Sequence, residues 1–352
     1  MSRTQATIIY NPASGKRGRR ADNVREMIRL LAERDIDARA CATNGPHDAG
    51  RLAREAVERG SDLVISYGGD GTMNEVIQGL VGSGAALAVW PGGTANVLAR
   101  ELEMPSSIAR IADIIAAGKT VRIALGVMRR DAETRRRGDA ETNGAKLELA
   151  ASSSDSPVAA SPRLRVSASP IRSSPVAGSP RPPVSASPPP RYFIMFAGIG
   201  LDASVARSVS PSLKKRTGQL AFWVEGIKHV FTWAPEPFTI EVDGKKFEGV
   251  FALIGNGRGY GGGLCMTPHA RLQDPCFEVY IVPRRSNNFA YLRDLAACAR
   301  GTTARTTATL VRGLRVTANS SEEPWVEADG EIIGPLPMTF EIVPDALSVI
   351  VP

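Results

Sequence analysis

The chain has 352 residues, with 43 Lys and Arg against 36 Asp and Glu, a net charge of +7. That length allows two cores of roughly 100–200 residues each. No window approaches about 18 uncharged apolar residues and no charged-then-apolar leader precedes the first strand-like run, which argues against a membrane span or export signal and makes the cytoplasm the expected location. Cys41, Cys265, Cys276 and Cys298 form no C-x-x-C pair and His47, His229 and His269 are scattered, which argues against a zinc site or disulfide frame.

In chain order, strand-like runs at residues 6–10, 37–42, 62–67 and 85–90 alternate with helical patterns at 21–34, 48–59, 73–80 and 107–117. Alternation of this kind predicts a doubly wound α/β fold with a parallel sheet. Three of its strand-to-helix junctions are unusual. The first, Asn11-Pro12-Ala13-Ser14-Gly15-Lys16, follows strand 6–10. The second, Gly68-Gly69-Asp70-Gly71-Thr72, follows strand 62–67. Its three glycines let the backbone approach a ligand closely, and the helix behind it turns unpaired N–H groups and a positive dipole end toward an anion, so it reads as a phosphate-gripping loop. Asp70 would repel a polyanion there unless a cation such as Mg²⁺ intervenes or the carboxylate handles a proton. The third, Pro91-Gly92-Gly93-Thr94-Ala95-Asn96, follows strand 85–90 and opens into a further helix. All three junctions fall at the carboxyl edge of one parallel sheet, where α/β proteins bind ligands, so they can build one site. No G-x-x-x-x-G-K-[ST] loop follows the first strand, and the second junction is not G-x-G-x-x-G.

Beyond residue 128 the composition changes. Residues 129–191 hold eleven Lys and Arg against six acids, so they carry +5 of the net +7, and Ser and Pro make up 22 of the 40 residues from 151 to 190. Such a segment is expected to be a disordered, solvated insertion in a surface connection. With the positive charge concentrated there, no nucleic-acid partner is expected, although arginines in the segment could touch anionic lipid headgroups. Short alternating runs then dominate: 238–242 and 247–254 flank the turn signal Asp243-Gly244, and 277–282, 315–317, 339–343 and 348–351 follow, with helical patterns at 219–231 and 288–300. A β-rich second domain is predicted, with the site in the cleft between domains.

Taken together, residues 11–16, GGDGTMNE at 68–75 and PGGTANVLAR at 91–100 resemble the diacylglycerol kinase catalytic-domain family, which includes sphingosine and other lipid kinases. The resemblance continues through RYFIMFAGIGLDA at 191–203, NGRGYGGGLCMTPHA at 256–270 and Asp329-Gly330-Glu331. GGDGT alone also occurs in NAD kinases and phosphofructokinase-like proteins; the ordered set is what is specific. It implies an α/β nucleotide-binding domain over 1–120 and a β-rich sandwich domain over 121–352, broken by the insertion at 129–190. It implies an enzyme using ATP and Mg²⁺ to phosphorylate a primary hydroxyl of a membrane lipid such as diacylglycerol, in peripheral contact with the bilayer; a homodimer is left open.

The resemblance also assigns residues. Asn11, Ser14, Gly15, Lys16, Thr43, Gly68, Gly69, Asp70, Gly71, Thr72, Asn74, Gly92, Gly93 and Thr94 would contact the nucleotide, while Glu331 would accept the lipid hydroxyl's proton with Asp329 beside it and Asp70 as a rival base. Asp274, with the carbonyls of Arg271 and Cys276, falls where bacterial-type relatives hold a structural Mg²⁺, but Pro275 replaces their glycine and fixes φ near −65°. Asn256, Gly257 and residues 261–263 resemble cleft residues, and Phe222, Trp223, Val230, Phe231 and Trp233 could line an acyl site or pack in a core. Two alternatives share the GGDGT loop: an NAD-kinase-like phosphotransferase, and a non-catalytic nucleotide- or lipid-binding regulator.

Overall fold

The computed structural model describes residues 4–12, 19–130, 190–200, 235–260, 264–285, 287–322 and 324–352. The expected helix at 219–231 with its aromatic residues, Ser14, Gly15 and Lys16 of the first junction, residues 261–263 and nearly all of the insertion lie outside them.

The first half alternates strand and helix: β1 (Thr4–Tyr10), α1 (Arg20–Ala32), β2 (Ile36–Ala42), α2 (Asp48–Glu58), β3 (Leu63–Gly68), α3 (Asp70–Leu80), β4 (Ala86–Pro91), α4 (Val97–Glu101) and α5 (Ile108–Ala117). Then come β5 (Thr120–Arg129), β6 (Arg191–Phe193), β7 (Phe196–Ile199), β8 (Phe238–Val242), β9 (Lys245–Gly249), β10 (Phe251–Gly255) and β11 (Phe277–Val282). The last elements are α6 (Asn288–Ala299), β12 (Thr309–Gly313), β13 (Arg315–Asn319), β14 (Trp325–Ala328), β15 (Glu331–Pro335) and β16 (Met338–Ile350).

Strands β2, β1, β3 and β4 are parallel, in that order, as the alternation of elements requires. Side chains point alternately to the two faces, so Ile8 and Ile65 pack under α1 and α5 while their neighbours Ile9 and Val64 pack under α2 and α3. Both faces of this sheet are therefore buried, which explains near-continuous apolar runs such as β3. α2 and α3 touch backbone to backbone: a Cβ on Gly79 would stand 2.3 Å from the Gly50 carbonyl oxygen. That contact seats α3 and the loop ahead of it.

The ten-stranded sheet does not stop at the parallel part. β16 joins β4 in parallel through Ser348 and Val349 and, through its first residues, pairs antiparallel with β13, from which the sheet continues to β8 and β9; β5 pairs along β16, and β6 pairs with β5. Two separate strands are expected over 339–343 and 348–351. The chain instead passes through as one strand with a bulge between Val343 and Leu347, Asp345 taking a left-handed conformation at φ 49°. Residues 191–199 also divide between the sheets, β6 in the large one and β7 in the second one. The run at 247–254 is also divided, because the chain changes sheets after Gly249.

The second sheet is antiparallel throughout, in the order β12-β11-β10-β7-β14-β15. Phe193, Ile240, Val242 and Phe340 of the large sheet face Ile254, Phe277 and Val279 of the small one, forming a sandwich core. The N-terminal part is thus α/β and the C-terminal part a β-sandwich. The strands on either side of the insertion, β5 and β6, pair antiparallel (Gly126 with Phe193, Met128 with Arg191), so the inserted residues leave and re-enter the fold at adjacent points.

Candidate active site

The carboxyl ends of β1, β2, β3 and β4 bring Asn11, Thr43, Gly68 and Pro91 to one edge; the Thr43 N–H donates to the Tyr10 carbonyl and the Gly92 N–H to that of Gly68. The buried Arg20 at the start of α1 ties two of these ends together, donating to the carbonyls of Tyr67 (3.1 Å) and Gly92. Its guanidinium lies over the Tyr67 ring, 4.4 Å from the centroid, and Tyr67 stacks on Trp90 at 3.7 Å. Burial pulls the Arg20 pKa below its ordinary value, an effect Tyr67 partly opposes.

The helix expected from residue 73 begins at Asp70, so the glycine loop forms its first turn. Met73 N–H is bonded to Gly69 carbonyl, which leaves the amides of residues 70–72 without intrahelical acceptors, and space over Gly71 is open. The two glycine junctions are in backbone contact: a Cβ on Gly93 would lie 2.5 Å from the Gly69 Cα. Asp70 fixes their relation, its carboxylate accepting from Asn96 N–H (3.0 Å) and Val97 N–H (2.7 Å) at the start of α4. Asn96 closes the third junction on itself, accepting from Gly93 N–H at 2.8 Å and donating to Gly93 carbonyl at 2.9 Å. Glu75 does the same service for α2, accepting from the amides of His47 and Ala49. Asn74 is buried; its carbonyl oxygen accepts from Gln78, and its Nδ2 has no hydrogen-bond partner among the described residues. Thr94 is exposed and Thr72 packs against Gly68.

The second half closes on this edge. Gln78 of α3 and the Tyr192 backbone of β6 pair reciprocally at 2.8 and 3.0 Å, so α3 takes the place of a further strand beside β6. Asp329 and Gly330 form the tight turn between β14 and β15 with φ of 47° and 84°, a primed-turn geometry that Asp-Gly favours. The Asp329 carboxylate folds back onto the 194–196 bend and accepts three amides, from Ile194 (2.7 Å), Met195 (3.0 Å) and Phe196 (3.2 Å). Burial nevertheless pushes its pKa up to about 6, against those three hydrogen bonds, and the charge of Asp70 across the cleft adds to the rise. Glu331, the first residue of β15, is ion-paired with Arg191. Burial lowers the Arg191 pKa while Asp329 and Glu75 oppose the shift, and its Nε is buried with no hydrogen-bond partner among the described residues.

The expected residues Asn11, Thr43, Gly68, Gly69, Asp70, Gly71, Thr72, Gly92, Gly93 and Thr94 therefore share one sheet edge, and Asp70 faces Asp329. Residues the sequence reading did not assign, Arg20, Gln78, Asn96 and Arg191, hold that edge together. Asn96 was visible as a capping residue type in a glycine turn; the other three carried no local signal. A triphosphate fits the arrangement: the cradle has no room for a side chain at Gly93, and the amides of residues 70–72 have no intrahelical acceptors.

The Asp274 loop is different. The Asp274 N–H donates to the Arg271 carbonyl in a turn, but the Asp274 carboxylate is ion-paired with Arg312, a residue that Cys276 also engages. A guanidinium already supplies the positive charge there, and no group of three or more His, Cys, Asp or Glu side chains among the described residues is placed to hold an ion. The arginine thus engages the Asp274 carboxylate that the resemblance assigns to a structural Mg²⁺ with the carbonyls of Arg271 and Cys276.

A two-lobed α/β and β-sandwich protein with glycine-lined anion loops facing paired carboxylates has the build of a phosphotransferase. Residues 5–128 match the diacylglycerol kinase catalytic domain, and residues 196–351 match the YegS C-terminal NAD kinase beta sandwich-like domain. The chain is 28% identical to a diacylglycerol kinase of Bacillus subtilis (strain 168) over 342 residues, 96% of this chain and 92% of that one. It is 26% identical to a diacylglycerol kinase of Staphylococcus carnosus (strain TM300) over 344 residues, with the same coverage. The crystal structure of a diacylglycerol kinase from Bacillus anthracis str. Sterne superposes with a TM-score of 0.69 at 21% identity, covering 100% of this chain and 98% of that one, a likeness of fold. The chain belongs to the diacylglycerol kinase catalytic-domain family and is a kinase.

Proposed function

We propose that this kinase transfers the γ-phosphoryl group of ATP, presented with Mg²⁺ as substrate, to a primary hydroxyl of a lipid of the diacylglycerol type. The observation that carries the reading is the Gly69–Gly93 backbone contact at the open amino end of α3, opposite Asp329 and Glu331. Phosphoryl transfer asks the protein mainly for positioning and electrostatics. The amides at the start of α3 and the 92–94 turn seat the phosphates, with Asn11, Thr43 and Asn74 at the same edge and Ser14, Gly15 and Lys16 following Asn11 in the chain. Asp70 holds the two turns in register. Glu331 accepts the proton of the attacking hydroxyl, its carboxylate oriented by Arg191, and Asp329 sets the hairpin that carries Glu331. The Mg²⁺ that arrives with ATP supplies charge neutralisation on the phosphates, relieving repulsion from the two aspartates. No helix among the described residues is long and apolar enough to cross a membrane; the enzyme works from the cytoplasm and meets its lipid at the bilayer surface.

The test is incubation with labelled ATP and a total lipid extract, with identification of the labelled product. Label is expected in a phosphatidate-type lipid, with turnover abolished in Glu331→Gln and Asp70→Ala proteins of native circular dichroism. Label in NAD, or nucleotide binding without transfer to any lipid, would refute it.

A further inference from the structure

Five residues link the two halves of the cleft. α4 is a single short helix whose first amides, Asn96 and Val97, are held by Asp70 of the glycine loop. At its other end the Glu101 carboxylate crosses to the glycine-rich loop that follows β10, where Oε1 accepts from Arg258 N–H and Oε2 from Gly259 N–H, both at 3.2 Å. The two contacts are made by one carboxylate on two successive amides, a small anion nest. Gly259 gives Glu101 the room, since a Cβ there would lie 3.2 Å from Oε2.

The loop is anchored in two different ways. Its first residues belong to the second half of the chain: the amides of Asn256 and Gly257 both go to the Met195 carbonyl, at 2.8 and 3.2 Å. The buried Asn256 side chain donates to the carbonyls of Ala124 and Ile194, both at 2.8 Å. The next two amides have Glu101, on the nucleotide side, as their acceptor. Beyond them Tyr260 bridges to Leu264, and its ring lies 4.7 Å from Phe196, next to the bend that the Asp329 carboxylate grips. One rigid turn of helix thus joins the Asp70 clip to the loop that flanks Asp329.

We infer that Glu101 is a positioning residue: through α4 it sets the 256–260 loop, on the acceptor side of the cleft, from the nucleotide loops. The inference rests on the proposed kinase reading for its consequence in catalysis, but its physical part does not. A nucleotide that settles the 92–97 turn also settles Glu101, and Glu101 then holds the acceptor loop, so order on one side is transmitted to the other and, by linkage, back again.

Two measurements decide it. In ligand-free protein, Glu101→Ala should speed hydrogen exchange at the amides of Arg258 and Gly259 by about tenfold or more, with α3 amides and the unfolding temperature unchanged and Glu101→Gln intermediate. Equal exchange in wild type and Glu101→Ala overturns the inference. In turnover with MgATP and mixed micelles of diacylglycerol, Glu101→Ala should raise the acceptor KM by about tenfold while the ATP KM stays within about twofold. An equal rise in both, or a fall in kcat alone, also overturns it. Wild-type protein that turns over no lipid counts against the kinase reading, and the exchange measurement still decides the role of Glu101.

Discussion

Asp329 should make the fold less stable as pH rises. Its half-buried carboxyl lies against the 194–196 bend and desolvation pushes its pKa from 3.8 up to about 6. The folded protein therefore binds this proton more tightly than the unfolded chain, and the stability that the proton confers is present at low pH and lost as pH climbs from the ordinary carboxylate value through about 6. A shift of about two units corresponds to about 3 kcal/mol, a large part of the stability of an ordinary domain. The assay is urea unfolding of wild type and Asp329→Asn between about pH 4 and pH 7, read as the difference between the two proteins. Subtraction is needed because Glu26 and Asp48, whose pKa values are lowered by Arg29 and by the Asn44 amide respectively, stabilise in the opposite direction and are present in both. Wild type should lose about 3 kcal/mol relative to the variant across that range. A difference that is flat, or that grows in favour of wild type with pH, refutes the upward pKa shift of Asp329.

Gly93→Ala places a Cβ 2.5 Å from the Gly69 Cα and should abolish ATP binding by calorimetry, whereas Gly71→Ala meets nothing within 4 Å and should keep its helical circular dichroism. Gln78→Ala removes both hydrogen bonds to the Tyr192 backbone and should cost about 1–3 kcal/mol in urea unfolding, with hydrogen exchange rising first along β6. Because the Arg312 guanidinium stands beside Asp274, a chelator should move the unfolding temperature of the nucleotide-free protein by less than about 1 °C; a clear drop, restored by Mg²⁺, would mean that an ion is held after all.

The alternation of strands and helices and the glycine turns were legible because they are local. Short near-continuous apolar runs such as 63–67, set between longer helical patterns, suit strands buried on both faces, and GGDGT ahead of a helical pattern suits an anion-binding turn. At Asp329-Gly330 the chain makes a tight hairpin turn, and that geometry aims the carboxylate back at residues 194–196. The division of 339–351 into two strands did not hold, because Pro344-Asp345 is absorbed as a bulge in a strand whose neighbours on both sides fix its course. Gln78, Arg191 and Glu101 gave no signal, since each is an ordinary polar residue whose partner lies 114, 140 and 157 positions away.

By itself the sequence determined the kind of protein this is: the periodicities set the layers, and the ordered motifs carry the family resemblance, because each depends on residues adjacent in the chain. Only the tertiary structure decided how the acidic groups are used. Asp70 became a clip between turns, Asp329 the acceptor of three amides at the 194–196 bend and Asp274 the partner of an arginine, because burial, distance and competing charge are properties of the space between segments and not of any one of them.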